Sequence, residues 1–439
     1  MDKSIEKFYI ETFGCQMNEF DSERIGYLLE TCGYLRTNDL NSAKIILINT
    51  CSVREKADNK LYGHLGNLKS LKINNPDILI CVGGCTAQSL KEKIIKEFPY
   101  IDIVFGTKNI KNLPDLIKKR RQTNKSICET EILKNYDSEI FNFKRTFKFK
   151  AYLPITIGCN NYCSYCIVPQ VRGEEMSIPI NLIIKKVENL ISEGVCEITL
   201  LGQNVNSYGK DLKSPENFAK LLDNLSKIKG LKRIRFVTSH PKDFSKKIIS
   251  VIKQNSNIMR HIHLPLQAGS NKILKLMNRK YTREDYMNLY HSIKSELPDC
   301  SITTDIIVGF PGENEEDFCR TLDLVKNLRF DRAFTFIYSK RKGTVAEKIP
   351  DNVTLNIKKQ WFKELVELQN LISLEQNKKM VGLKFEVLVE GFSNKKDGQL
   401  KGRLENNTVV NFNGDKELIG KLVPVKIKDA KSFYLSGEL

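Results

Sequence analysis

No stretch of the 439 residues approaches the ~20 uninterrupted apolar residues that a membrane-spanning helix requires, and the opening MetAspLysSerIleGluLysPheTyrIle carries no apolar run long enough for a signal peptide. Both absences lead to the expectation of a cytoplasmic protein with no membrane partner. In that compartment the twelve cysteines do not imply a disulfide framework, because long cytosolic chains use thiols more often for metals or catalysis. A third absence is local. Cys159, Cys163 and Cys166, in ThrIleGlyCysAsnAsnTyrCysSerTyrCysIleValPro, supply three thiolates and no fourth, and no second pair stands beside them. That excludes a closed structural zinc site, which takes four ligands. An iron–sulfur cubane held by three cysteines would keep one iron open for a small molecule and supply low-potential electrons. The alternative is three structural cysteines in a loop.

The length allows roughly two to four domains at ~100–200 residues each. The formal net charge is +18, which attracts polyanions and speeds encounter with nucleic acid. A composition rich in Lys, Ile and Asn throughout is the other source of that excess, so charge makes RNA a candidate partner without establishing it.

Residues 7–13, 44–50, 78–83 and 101–106 are short apolar or β-branched runs, each followed by a segment of helical periodicity. This alternation predicts a doubly wound parallel sheet. Cys15, Cys51 and Cys85 fall just after the first three runs, and the carboxyl ends of parallel strands share one edge, where ligands bind. Three distant thiols are thus expected to converge as a second three-cysteine site, again with an open position. Cys81 lies within the third run and reads as a small buried hydrophobe. Cys32, Cys128, Cys196, Cys300 and Cys319 are read the same way.

Residues 108–150 contain twelve Lys/Arg against five Asp/Glu and read as a linker with a basic face. Phe141, Phe143, Phe147 and Phe149 there could stack on bases or form an edge strand leading into the next domain. Strand–helix alternation resumes with strands near 152–157, 196–201, 233–238, 261–265, 301–308 and 331–338, suiting a partial (β/α)6 barrel with its chemistry on the loops after the strands. The first of those loops carries Cys159, Cys163 and Cys166. Later loops bring glycines and Gln203, Asn204, Gln267 and Asp305, which offer hydrogen bonds to a ligand or simply turn the chain. A long helical stretch follows Trp361. Five short alternating runs at 384–390, 398–403, 408–412, 422–427 and 433–437 then predict a small β-barrel, a shape that commonly binds oligonucleotides or serves as a stabilising module.

The Cys-x3-Cys-x2-Cys spacing resembles that of radical S-adenosylmethionine (radical SAM) enzymes. With GluThrPheGlyCysGlnMetAsn (11–18), AsnThrCysSerValArgGluLysAla (49–57), GlyCysThrAlaGln (84–88), HisLeuProLeuGlnAlaGlySer (263–270) and AspIleIleValGlyPheProGlyGlu (305–313), nearly the whole chain resembles the radical SAM methylthiotransferases. The resemblance implies an N-terminal methylthiotransferase domain at 6–122, a basic linker at 123–144, a radical SAM core at 145–375 and an RNA-binding TRAM barrel at 376–439. It implies two 4Fe-4S clusters: one on Cys159, Cys163 and Cys166 that cleaves SAM, and an auxiliary one on Cys15, Cys51 and Cys85 that delivers sulfur. Gln203, Asn204, Gln267 and Asp305 are the candidate SAM contacts. Within the family the 49–57 and 158–163 motifs look like the branch that methylthiolates carbon 2 of N6-dimethylallyladenosine beside the tRNA anticodon. The branches acting on threonylcarbamoyl-adenosine or on a ribosomal protein aspartate are the alternatives. An anticodon stem-loop, an external electron donor and a sulfur source are the partners so implied. One departure stands out: GluGluMetSerIlePro (174–179) replaces the family's basic continuation, and Lys340 and Lys342 stand where prolines are common.

Overall fold

The computed structural model describes residues 5–52, 55–132, 139–213, 215–393 and 398–439, with residues 55–60 described by backbone alone. Val53 and Arg54 of the 49–57 motif lie outside the described residues, as do the side chains of Glu55, Lys56 and Ala57.

The first six strands are β1 (Lys7–Phe13), β2 (Leu35–Arg36), β3 (Ile45–Thr50), β4 (Leu79–Gly84), β5 (Ile103–Phe105) and β6 (Ile127–Glu129). They form one all-parallel sheet in the order β2-β1-β3-β4-β5-β6. Side chains alternate across it. Ile45 and Leu47 face one core with Phe8, Ile25 and Leu29, while Ile46 and Ile48 face the other with Leu61, Leu65 and Leu68. The sheet is therefore covered on both faces, as the continuous apolar runs require. The chain leaves β1 toward β2 on one side and returns to β3 on the other, so the topological switch point lies between β1 and β3. Ligands bind in the crevice above such a point. The strand β6 lies inside the span 123–144 that reads as a linker, and it extends the sheet past residue 122. Its three residues, Ile-Cys-Glu, are too few to give an alternating signal.

The helix α1 (Gln16–Thr31) is buried on more than its apolar face. Ile25 and Leu29 pack into the N-terminal core, whereas Met17 and Phe20 join the core of the central domain. Asn18, Asp21, Ser22, Glu23 and Arg24 are buried as well. A helix wedged between two domains fixes the one against the other.

The central strands are β7 (Lys150–Pro154), β8 (Thr156–Ile157), β9 (Met176–Ser177), β10 (Glu197–Leu201), β11 (Arg233–Phe236), β12 (His261–His263), β13 (Ser301–Val308) and β14 (Arg332–Ile337). Two parallel three-stranded sheets, β7-β10-β11 and β12-β13-β14, are joined by a parallel bridge between Ile234 and Ile258. The result is an open six-stranded barrel with β7 and β14 at its ends. Amphipathic helices cover it; Ile183, Val187 and Leu190 of Ile180–Ser192, at i, i+4 and i+7, are typical of their buried stripes.

The last five strands, β15 (Lys384–Phe392), β16 (Gln399–Arg403), β17 (Val409–Asn413), β18 (Leu422–Ala430) and β19 (Tyr434–Glu438), close into a barrel in the order β15-β16-β17-β19-β18. This barrel is mounted on the central domain by two arginines of β11. Arg233 Nη1 and Nη2 donate to the carbonyls of Arg403 and Glu386 at 3.0 and 2.9 Å. Arg235 Nη1 and Nη2 donate to those of Glu405 and Leu404 at 2.9 and 2.7 Å, and its Nε donates to Glu197 at 2.9 Å.

Packing decides against base stacking, one of the two readings of the basic segment, and in favour of a lead into the edge strand β7, and it corrects the expectation for the remaining cysteines. The phenylalanines of the basic segment are not free stacking platforms: Phe143 is a core residue with its ring 5.0 Å from Phe20, Phe141 packs on the central core, and Phe147 and Phe149 pair at 5.7 Å. Nor are all the remaining cysteines small buried hydrophobes. Cys81 and Cys300 are buried and Cys128 and Cys196 half-buried, but Cys32 and Cys319 are exposed. Cys32 caps the carboxyl end of α1, and Cys319 lies on the outer face of Glu315–Leu328, where its neighbour Phe318 takes the buried position.

Candidate active site

The carboxyl edge of the N-terminal sheet faces the open top of the central barrel across α1, and one cavity of about 940 Å³ lies between them. Cys15, Cys51, Cys85, Cys159, Cys163 and Cys166 all line it. Six thiols separated by up to 151 positions in sequence thus open on one space.

The first triad is built by strand ends. Cys15 caps the amino end of α1, Cys51 follows β3, and Cys85 starts the helix Cys85–Leu90 directly after β4. Gly84 makes that last turn possible. Its φ is +90°, and a Cβ there would lie 2.4 Å from the Thr50 carbonyl oxygen. Asn18 and Asn49 tie the strand ends to α1: Asn18 Nδ2 donates to Asn49 Oδ1 at 3.2 Å and the Thr50 carbonyl at 3.3 Å, and Asn49 Nδ2 donates to the Asn18 carbonyl at 2.8 Å. The Cys15 thiol is pulled down to about 6, first by its hydrogen bond with Cys51 and then by Arg172 and the backbone N–H groups of Asn18 and Met17 at the start of α1. Cys85 is pushed up by burial, against the pull of Arg172.

The second triad occupies the loop between β8 and the helix Val168–Arg172. Gly158, at φ +80°, and Tyr162, at φ +48°, turn this loop. It is stitched to the 264–282 segment: Ser164 N donates to the Met277 carbonyl at 3.0 Å and Asn278 Nδ2 to the Tyr162 carbonyl at 2.8 Å. Burial pushes the thiols of Cys159 and Cys166 up to about 11 and about 12. Arg279 Nη1 donates to Cys163 Sγ at 3.2 Å, while its Nε and Nη2 donate to Tyr281 Oη at 2.9 Å and the Pro265 carbonyl at 3.3 Å.

Of the four candidate SAM contacts, three line the cavity. Gln203 Oε1 accepts from Gly158 N at 2.6 Å, so it braces the second triad. Gln267 has φ +73° and a buried Oε1 with no partner among the described residues. Asp305 faces His263 Nε2 at 3.3 Å. Asn204 is buried and is not among the residues that line the cavity, its Nδ2 donating to Asp243 at 2.7 Å.

Sequence reasoning missed Arg172, Arg279, His240 and Phe334, all on the cavity wall, and Asn406, Asn407 and Thr408, which the third domain contributes to it. His240 is held neutral, at about 2, by burial and then by Arg279, Lys242 and Lys210. The two arginines had a visible signal in the motifs around 171–173 and 277–282, and His240 had one in the SerHisPro loop (239–241) after a barrel strand.

The residues fit cluster chemistry. Each triad brings three thiols to the cavity wall, and a cubane held by three thiolates keeps its fourth iron open to a ligand. Each triad also has a buried guanidinium on one sulfur. Ser52 Oγ, Ser239 Oγ and Gln267 Oε1 are buried on the cavity wall without partners among the described residues, as a wall shaped for a polar ligand would have them. Strain gathers here too, Thr238 adopting φ +66° on the same wall as Gln267.

Comparison with known proteins decides the assignment. Residues 7–106 match Uncharacterized protein family UPF0004, 153–325 the Radical SAM superfamily and 378–439 the TRAM domain. The chain is 50% identical over 433 residues to the tRNA-2-methylthio-N(6)-dimethylallyladenosine synthase of Clostridium tetani, covering 98% of this chain and 96% of that one. Its counterpart in Natranaerobius thermophilus is 49% identical over 439 residues, covering 99% and 97%. The chain belongs to the tRNA-2-methylthio-N(6)-dimethylallyladenosine synthase family. The fold is shared more widely. The radical S-adenosylmethionine methyltransferase TsrM from Kitasatospora setae superposes with a TM-score of 0.57 at 12% identity, over 90% of this chain and 82% of that one. In this chain, then, a radical SAM barrel stands between the UPF0004 and TRAM domains, and all three wall one cavity. No helix among the described residues is long and apolar enough to cross a membrane.

Proposed function

We infer that this chain is a cytoplasmic enzyme that methylthiolates carbon 2 of N6-dimethylallyladenosine beside the anticodon of tRNA. The observation that carries the reading is the opening of two cysteine triads, from two domains, on one cavity. Carbon 2 of adenine bears an unactivated C–H bond, which no side-chain acid or base removes at neutral pH. Cys159, Cys163 and Cys166 would hold the cluster that reductively cleaves SAM to a radical able to take that hydrogen, and Cys15, Cys51 and Cys85 an auxiliary cluster that presents sulfur.

The chain's own residues bind and orient. Asp305, paired with His263, and the buried Oε1 of Gln267 offer polar contacts for SAM above the second triad. Phe334 sets its ring edge-on to His263 at 5.8 Å on the cavity wall, where a splayed base can stack. Entry of one nucleotide between the domains requires it to leave the stack of the anticodon loop.

Nucleoside mass spectrometry tests this. Anaerobically reconstituted protein, incubated with SAM, a reductant and tRNA bearing dimethylallyladenosine, is expected to give the methylthio nucleoside, and Cys163→Ala to give none. No product from the wild type despite SAM cleavage would overturn the substrate assignment and turn attention to threonylcarbamoyl-adenosine.

A further inference from the structure

Arg172 stands six residues after Cys166, on the short helix that ends the loop of the second triad, yet it reaches into the first. Its Nε donates to Cys85 Sγ at 3.3 Å and its Nη2 to Asp21 Oδ2 at 2.7 Å. Both members of the Arg172–Asp21 pair are 6% exposed. Cys85, Ile167 and Val171 pack together around it, and Thr107 Oγ1 donates to the Val171 carbonyl at 2.6 Å, so the whole helix is clamped to the N-terminal domain. A guanidinium is an unusual group to bury, and removing one partner of a buried pair is costly because it strands the other. Here the fork divides: one nitrogen goes to a carboxylate that fixes it, another to a thiol of the neighbouring domain.

We propose that Arg172 is a positioning residue of the auxiliary site, supplied in trans by the radical SAM domain, that sets the reduction potential of the cluster on Cys15, Cys51 and Cys85 by an N–H···S hydrogen bond to Cys85. This rests on the reading of those three cysteines as cluster ligands. Hydrogen bonds to cluster sulfurs stabilise the more negative, reduced state and raise its potential. Arg279 makes the equivalent contact to Cys163 from within its own domain. Of these two arginines it is Arg172 that crosses the domain boundary, so the electronic state of the sulfur-presenting site is tied to the seating of the loop that carries the other triad.

The test uses the full-length chain with Cys159, Cys163 and Cys166 replaced by Ala, so that iron reports on the auxiliary site alone. Into this parent go Arg172→Lys, and the charge-neutral pair Arg172→Gln with Asp21→Asn, which avoids stranding a buried carboxylate. Redox titration followed by electron paramagnetic resonance is expected to give a more negative midpoint in both, with the larger shift in the double variant. In the otherwise wild-type holoenzyme the double variant is expected to keep SAM cleavage while losing methylthio product. Midpoints equal to the parent's, with the cluster spectrum intact, would overturn the proposal. A parent that binds no iron would instead overturn the reading of the first triad as a cluster site.

Discussion

Glu313 closes the ValGlyPheProGlyGlu motif, and one of its oxygens accepts the backbone N–H groups of Gly309 and Phe310, while Oε1 is buried with no partner among the described residues. Burial pushes its carboxyl from the ordinary 4.5 up to about 7, against the pull of those two N–H groups. The sign follows from linkage. The folded protein holds this proton more tightly than the unfolded chain, so the stabilisation is full below pH 4.5, fades as pH rises toward 7 and is gone above. Glu313→Gln keeps the acceptor and cannot ionise. Its stability relative to wild type, from denaturant unfolding at a series of pH values, is expected to rise between pH 5 and 8 by on the order of 1–3 kcal/mol; a constant difference would sink the argument. The Cys163→Ala variant belongs at this scale too, since one missing thiolate should halve the iron bound without unfolding the chain, as iron assay and circular dichroism together would show.

Turns carry the two triads, and two glycines set them. A Cβ on Gly158 would lie 2.1 Å from the Glu174 carbonyl oxygen, and one on Gly84 lies equally badly against Thr50. Each Ala substitution forces a positive φ on a residue with a side chain, at ~1–3 kcal/mol. Gly84→Ala is expected to lose iron at the N-terminal site and keep SAM cleavage; Gly158→Ala is expected to do the reverse. Iron content together with tRNA-free SAM turnover distinguishes them, and identical losses in both would contradict the separateness of the two turns. These turns were legible because apolar runs stop abruptly at Gly or Thr followed by Cys, which marks a strand's carboxyl end. What was not legible has physical causes. The strand β6 is shorter than any alternation. The buried polar face of α1 looks like a solvated one until a second domain covers it. Arg172 meets a thiol 87 positions upstream, and no local pattern encodes that contact.

At the scale of the molecule, three domains wall one cavity, and the surface around it must meet a polyanion. Ser339 and Arg341 line the cavity, and the alternating residues Lys340 and Lys342 are exposed beside it. Changing both to Ala is expected to flatten the dependence of tRNA affinity on salt by about one unit of slope for each phosphate no longer neutralised. An unchanged slope in a filter-binding titration would remove this loop from the interface. The arginines of β11 carry a different consequence. Because Arg233 and Arg235 find their acceptors on carbonyls of the TRAM barrel, cutting the chain after the helix Leu355–Lys378 would deprive two guanidiniums of the central sheet of those four acceptors. Truncation therefore cannot separate recruitment of RNA from chemistry, and calorimetry should find the last two domains melting together: the appendage that greets the tRNA is also the floor plate of the reactor.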